Sequence, residues 1–199
     1  ARYAPWQEAP LLEGLADLVQ QGEVAALGVS NMGPRRLRVV HRRLAERGLE
    51  LSSLQVQLSL LAPDPIQPGG VAEVCRELGI RLIAYSPLAL GLLARSMAAG
   101  PLPRGPRGAL FRRLAPALVE LQAEMARIGA NRDASLAAVA LNWCRAHGAL
   151  PIPGLRRPEQ VEQAAAALAW NLSEEERRRL DDLALGLEVG MPANPFQSD

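Results

Sequence analysis

The sequence predicts an α/β fold built from parallel β/α units, and three observations carry that expectation. Short apolar runs alternate with segments of helical period, in the order α-β-α-β-α-β-α-α-β-α-α. The run Ile80-Arg-Leu-Ile-Ala-Tyr-Ser-Pro-Leu-Ala-Leu-Gly91 is apolar at 80, 82, 83 and 84. A strand covered on both faces reads this way. The units average about 40 residues, near the ~30 expected of a (β/α)8 barrel. Only four strands are visible, however, where a closed barrel of that kind has eight.

The elements follow in order. A helix is predicted from Pro10 to Gln21, with Leu11, Leu12, Leu15, Leu18 and Val19 as its apolar stripe and Gly22 as its stop. Val24 to Val29 reads as a short buried strand. Ser30-Asn31 closes it and faces a helix with Pro34 in its first turn, which stops at Gly48. Leu54 to Leu60 alternates apolar and polar, as a strand does. Ala62 to Gly70 holds three prolines and is a loop. Val71 to Leu78 is a short helix ended by Gly79.

The strand at 80–85 comes next, ended by Pro87, which has no ladder donor. Arg95 to Gly108 is rich in proline, glycine and arginine and reads as a long surface loop. Phe111 to Ile128 has helical period, with Pro116 marking a start or a kink. Ser135 to His147 is a strongly apolar helix, and Ala149 to Ile152 is the last strand. Pro158 to Leu168 and Ser173 to Leu185 are the final helices, the second opened by the capping box Ser173-Glu-Glu-Glu176.

Composition narrows the function classes. The chain has 199 residues, long enough for one domain, 1–199, with a sizeable core. Its net charge of +1 gives no case for nucleic acid or for a membrane surface. No apolar run reaches the roughly 18 residues of a membrane span. Cys75 and Cys144 lie in apolar helical patterns and are expected as buried free thiols of a reducing, cytoplasmic compartment, or of a plastid if the source is a plant. No Cys/His cluster suggests a metal site. All 22 basic residues are arginine, so no mechanism that needs a lysine can be completed by this chain. The first residues, Ala1-Arg2-Tyr3-Ala4-Pro5, resemble the interior of a longer protein.

In a (β/α)8 barrel the working residues sit at the C-terminal ends of the strands. Four such places can be read: Ser30-Asn31, Gln55 with Gln57, Tyr85-Ser86, and Pro153-Gly154 with the helix after it. Each has an ordinary reading. Ser30 and Asn31 suit a helix N-cap, Tyr85 a core aromatic, and Gly154 a turn or an anion-binding helix start. Together they put an amide pair, an aromatic platform and, with Arg156 and Arg157, a basic helix start on one rim. That combination suits a nucleotide with a flat ring and phosphates.

The runs Gly28-Val-Ser-Asn31, Leu54-Gln-Val-Gln57, Ile83-Ala-Tyr-Ser-Pro-Leu88, Ala140-Leu-Asn-Trp-Cys144 and Pro151-Ile-Pro-Gly-Leu-Arg-Arg157 resemble the aldo-keto reductase superfamily. Pro103-Arg-Gly-Pro-Arg107, Phe111-Arg112 and Asn194-Pro-Phe-Gln197 resemble its cyanobacterial and plant-plastid branch, which includes pyridoxal reductases. The resemblance implies an NADPH-dependent reductase of a small carbonyl substrate, an aldehyde or ketone. It implies that Ser30, Asn31 and Gln55 hold the nicotinamide carboxamide and that Tyr85 stacks on the ring. Ser86, Pro87, Leu88 and Gly91 would line the pyrophosphate. Gly154, Arg156 and Gln160 would lie at the 2′-phosphate, where the arginine fork suits a phosphate, and Gln163 at the adenine. Ala164 departs from the family, which usually has an asparagine there.

The family's chemistry uses a tyrosine acid with a lysine, an aspartate and a histidine, all from the first half of the barrel. The tyrosines here are Tyr3 and Tyr85, and the histidines are His41 and His147, both on predicted helices. No catalytic residue is therefore assigned. The chain is expected to be the C-terminal half of the barrel, with about four parallel strands and outer helices, the N-terminal half lying outside it. Two readings stay open: a piece of an ordinary reductase, or a non-catalytic half-barrel that binds nucleotide or pairs with another chain.

Overall fold

The structure, a computed structural model, describes residues 5–96 and 100–192. Tyr3 and the run Asn194-Pro-Phe-Gln197 therefore lie outside the described residues. The chain forms two compact units, one of residues 5–56 and 65–83, the other of 57–64, 84–96 and 100–192.

The first unit carries α1 (Pro5–Gln20), β1 (Leu27–Ser30), α2 (Pro34–Ala45), most of β2 (Leu51–Gln57), α3 (Val71–Glu77) and the start of β3 (Arg81–Tyr85). Helix α2 buries Leu37, Val40 and Leu44 at steps of three and four, so one face is apolar. Leu54 and Val56 of β2 and Val71, Val74 and Cys75 of α3 complete that core. The polar faces are tied by arginine. Arg38 donates to both Glu77 oxygens at 2.8 and 2.6 Å, and Arg47 donates to Asp17 at 2.8 Å.

The second unit holds the end of β3, α4 (Gly105–Leu114), α5 (Val119–Ala130), α6 (Leu136–Ala146), β4 (Leu150–Ile152), α7 (Pro158–Ala166) and α8 (Glu174–Leu185). Its core is built on Phe111, Leu114, Leu121, Met125, Ile128, Trp143 and Leu180, all essentially excluded from water. Several buried polar groups of this core are paired, as burial favours. Asn142 Nδ2 donates to the Ala167 carbonyl at 2.8 Å. Trp143 Nε1 donates to Asp181 Oδ1 at 2.8 Å, and His147 Nε2 meets the same oxygen at 2.7 Å. His147 is thus an anchor at the end of α6. Burial pushes the Cys75 thiol up to about 11 and the Cys144 thiol up to about 12, so both stay protonated and unreactive.

The four strands form one sheet in the order β1-β2-β3-β4, and β1 and β2 pair in parallel. This is the α/β arrangement the alternation of elements predicts. Several boundaries differ. The first helix begins at Pro5, not Pro10, and carries Pro10 inside it. A proline there removes only one hydrogen bond near the helix start. β1 spans Leu27–Ser30 rather than 24–29. β2 spans Leu51–Gln57 rather than 54–60, because its pairing is set by β1: Leu27 lies opposite Leu51 and Ser30 opposite Gln55. Leu58, Leu60 and Leu61 are buried in a turn closed by the Ser59–Ala62 bridge.

The expected loop 95–108 is shorter than predicted, since α4 already starts at Gly105 with Pro106 in its first turn. Gly108 is required there, because a Cβ would lie 1.7 Å from the Pro103 carbonyl oxygen. The predicted helix 111–128 is two helices around a 3-10 turn, Ala115–Leu118, that contains Pro116. Helix α7 stops at Ala166 and continues as a 3-10 turn, Ala167–Ala169.

Candidate functional site

The C-terminal ends of β1 and β2 place the first group of candidate residues within the first unit. Ser30 and Gln55 are register partners, and the Asn31 N–H donates to the Gln55 carbonyl at 2.9 Å. Asn31 Nδ2 donates to Ser30 Oγ at 2.9 Å. Asn31 has φ +56°, a left-handed conformation that asparagine tolerates better than most residues. All three residues line one cleft of about 620 Å³, whose floor is Leu12, Val29 and Ile83. The amide pair expected at this rim is therefore assembled by strand register.

The larger group lies in the second unit. β3 ends at the half-buried Tyr85, whose carbonyl accepts from the Leu58 N–H at 3.3 Å. The chain then turns sharply: Ser86, Ala89 and Leu90 have φ of +52°, +47° and +56°, and Gly91 has +93°. Three non-glycine residues in the left-handed region within five positions are a concentration of backbone strain. Such strain persists where the surroundings over-determine it and is common at ligand sites. The turn lines a cleft of about 470 Å³ with Ser86, Pro87, Leu88 and Gly91. Gly154, Arg156 and Gln160 line the same cleft from the loop after β4 and from α7. Seven of the twelve candidate residues, drawn from two stretches far apart in sequence, thus converge. Tyr85 and Gln163 do not line it, and Gln163 is exposed on α7.

Local chemistry explains the entry to α7. Gln160 Oε1 accepts from the backbone N–H groups of Arg156 and Arg157, at 2.8 and 3.2 Å. Two helix-start donors that would otherwise need water are satisfied by one amide oxygen. The helix itself begins at Pro158, so Gly154 sits a loop away from its start and not directly before it. The cationic contribution at this place is the Arg156 side chain, which pairs with no carboxylate among the described residues.

One cleft residue escapes a reading of strand ends. Arg107 lies in the first turn of α4 and lines the cleft beside Gly91. Its guanidinium lies 5.2 Å from the Phe111 ring centroid, and its Nε is buried with no hydrogen-bond partner among the described residues. A Cβ at position 91 would lie 3.0 Å from Arg107 Nη2, so the glycine lets this cation approach the backbone turn. The sequence signal was Gly105-Pro106, a helix start that makes the following arginine fixed rather than loose. Two arginines that meet no carboxylate among the described residues, a glycine-lined turn and a buried guanidinium nitrogen form a donor set suited to a phosphate-bearing ligand.

The fold and the site define an α/β protein with an arginine-lined cleft formed by loops that follow its strands. The Aldo/keto reductase family model matches residues 4–185, and the chain belongs to that family. It is 42% identical over 198 residues to a chloroplastic pyridoxal reductase of Arabidopsis thaliana, covering 100% of this chain and 54% of the relative. It is 36% identical over 186 residues to an uncharacterized oxidoreductase of Mycobacterium tuberculosis, covering 89% of this chain and 54% of the relative. Among solved structures, a thermostable aldo-keto reductase, Tm1743, captured with the inhibitor epalrestat, superposes with a TM-score of 0.64 at 26% identity. That match covers 86% of this chain and 53% of the other. The aldose reductase of Schistosoma japonicum shares the fold, with a TM-score of 0.65 at 17% identity over 92% of this chain and 48% of that one. The chain spans about half the length of the curated relatives it matches.

Proposed function

We propose that this chain is the cofactor-holding part of an NADPH-dependent oxidoreductase that reduces an aldehyde or ketone to an alcohol. The observation that carries the reading is the cleft in the second unit. There the Ser86–Gly91 turn, Gly154 and Gln160 stand with Arg107 and Arg156, two cations that meet no carboxylate among the described residues. A dinucleotide carries a pyrophosphate and, in NADPH, a further phosphate, and arginine forks bind phosphate through paired, charge-assisted hydrogen bonds. When bound, the cofactor supplies the hydride. The chain's own residues bind and orient it: Ser86 to Gly91 with Arg107 at the pyrophosphate, Gly154, Arg156 and Gln160 at the 2′-phosphate. Ser30, Asn31 and Gln55 are proposed for the carboxamide, Tyr85 for the ring face and Gln163 for the adenine.

Pyridoxal is the carbonyl substrate we favour, since the relative of Arabidopsis bears that name over the full length of this chain. The barrel of which these strands would be half belongs to the same proposal. Among the described residues no helix is long and apolar enough to cross a membrane.

A second reading has its own observation: the sequence contains no lysine and only two tyrosines. A family member that cannot assemble a tyrosine–lysine acid could still bind nucleotide without turnover. Calorimetric titration tests the shared part of both readings. NADPH is expected to bind the chain with NADH weaker. A folded chain showing no heat with either dinucleotide at millimolar concentration would overturn both.

A further inference from the structure

The two walls of the arginine-lined cleft are packed very differently. One wall is the turn Ser86–Gly91, and Ala89, Leu92 and Leu93 in and behind it are fully excluded from water. The other wall is made by Ile152, Gly154, Arg156 and Gln160, all within the arm 150–166 formed by β4, the loop after it and α7. Ala149 and Ala167, which flank the arm, are buried, yet no residue from 150 to 166 is. Leu150, Ile152 and Val161 are 50%, 43% and 51% exposed. β4 ends the sheet and has β3 as its single neighbour among the described residues. Helix α7 sets the half-buried Ala164, one methyl group, against the core cluster of Ala138, Leu141 and Ala167. The hydrogen bonds of Gln160 go to the backbone of Arg156 and Arg157, inside the arm. Among the described residues no side chain of the arm bonds or ion-pairs outside it.

We infer that the cleft has one preformed wall and one that its ligand completes: in the free chain the arm 150–166 opens locally, and a bound dinucleotide orders it. The inference rests on the dinucleotide reading above and concerns how that cleft is assembled. Ordering a segment costs backbone entropy at every residue, and burial of apolar side chains is the main term that offsets it. In the arm that offset is small. Helix α7 has 9 residues and buries none of them. Isolated helices shorter than about 12–15 residues are marginal in water, so α7 depends on the packing it lacks. Helix α6, by contrast, buries every residue from Ala138 to Cys144. Segments with few buried contacts open at a small fraction of the global unfolding free energy. Phosphates that meet Arg156 beside Gly154 and Gln160 supply contacts that exist in the closed arm alone. The measured affinity is then the intrinsic affinity lowered in proportion to the closed fraction.

Amide hydrogen exchange of the full chain, read by mass spectrometry, tests this. Without ligand, the amides of 150–166 are expected to exchange near the unstructured rate while those of α6 stay protected. Saturating NADPH is expected to slow the arm by about tenfold or more and to leave α6 unchanged. Ala165→Gly alters an exposed residue of α7 that does not line the cleft, and it lowers helix propensity. It is expected to weaken NADPH roughly threefold or more in calorimetric titration, because it shifts the arm toward the open form. Ala126→Gly makes the same change at an exposed position of the well-packed α5 and is expected to leave the affinity unchanged. An arm as protected as α6 in a free chain that still binds NADPH overturns the inference and leaves the dinucleotide reading intact. Unchanged affinity in Ala165→Gly overturns it as well. A folded chain that binds no NADPH sinks the inference together with the reading beneath it.

Discussion

Arg107 and Arg156 reach one cleft from different elements, and their surroundings give them different tasks. Arg107 is fixed by the first turn of α4, lies over Phe111 and sits against Gly91 in the strained turn. On the proposed reading a cation there would face the pyrophosphate that every nicotinamide dinucleotide carries. Arg156 stands by Gly154 and Gln160, where the proposal puts the extra phosphate of NADPH. Arg107→Met is therefore expected to weaken NADPH and NADH by the same factor. Arg156→Met is expected to weaken NADPH alone. Each lost charge-assisted bond contributes about 1.5–3 kcal/mol, roughly ten- to hundred-fold in affinity. Calorimetry with both dinucleotides separates the two roles, and equal weakening by Arg156→Met would overturn its assignment. Arg156 was legible in sequence because it follows a strand end at short range, and Gln160 was named only through the family resemblance. Arg107 was not legible, because its place depends on where α4 begins, and a stretch rich in glycine, proline and arginine reads as loop.

At the scale of elements, the start of α8 is held by two interlocking devices. Ser173 Oγ accepts from the Glu176 N–H at 3.1 Å while Glu176 Oε2 accepts from the Ser173 N–H at 2.9 Å. Arg132, beyond the end of α5, grips both Glu176 oxygens at 2.8 Å and lies over the Trp170 ring at 4.9 Å. Burial pushes the Glu176 carboxyl up, but the Arg132 pair and the Ser173 hydrogen bonds outweigh it and hold it below the usual carboxylate range. A carboxyl lowered on folding contributes stability that is present above its unfolded value, about 4.3, and is lost as pH falls through the folded value. The urea midpoint is thus expected to drop steadily below about pH 4.5. Glu176→Gln should cost roughly 1–3 kcal/mol at neutral pH and flatten that slope. Glu124, lowered by its hydrogen bond to Arg127, supplies part of what remains. An unchanged slope in the variant would remove Glu176 from this role. The capping box was readable because it is a four-residue local pattern. The ends of β2 were not, since they follow from its register with β1 and the alternation in the sequence runs on past Gln57 into the buried turn.

For the whole molecule the decisive quantity is which chemistry the chain can complete by itself. Reduction of a carbonyl needs a proton delivered as the hydride arrives, from a group whose pKa lies near working pH. Tyrosine titrates near 10 in water, so it needs a neighbouring cation to serve. No lysine exists in the 199 residues, and Tyr85 closes β3 as a half-buried side chain that does not line the cleft of Arg107 and Arg156. His147 is held by Asp181 and packs edge-on against Trp143 with ring centroids 4.9 Å apart, far too committed to the helix packing to swing to a substrate. Buried thiols pushed up to about 11 and about 12 cannot substitute. The 199-residue chain is therefore expected to bind NADPH yet to show no oxidation of it in the presence of pyridoxal, followed as loss of nicotinamide absorbance against a protein-free blank. Turnover that scales with protein concentration, and that Arg156→Met weakens at subsaturating NADPH, would show that the chain supplies its own acid. That result would refute the argument from its lysine-free composition. Binding without turnover would instead show that these 199 residues hold the cofactor without supplying the acid.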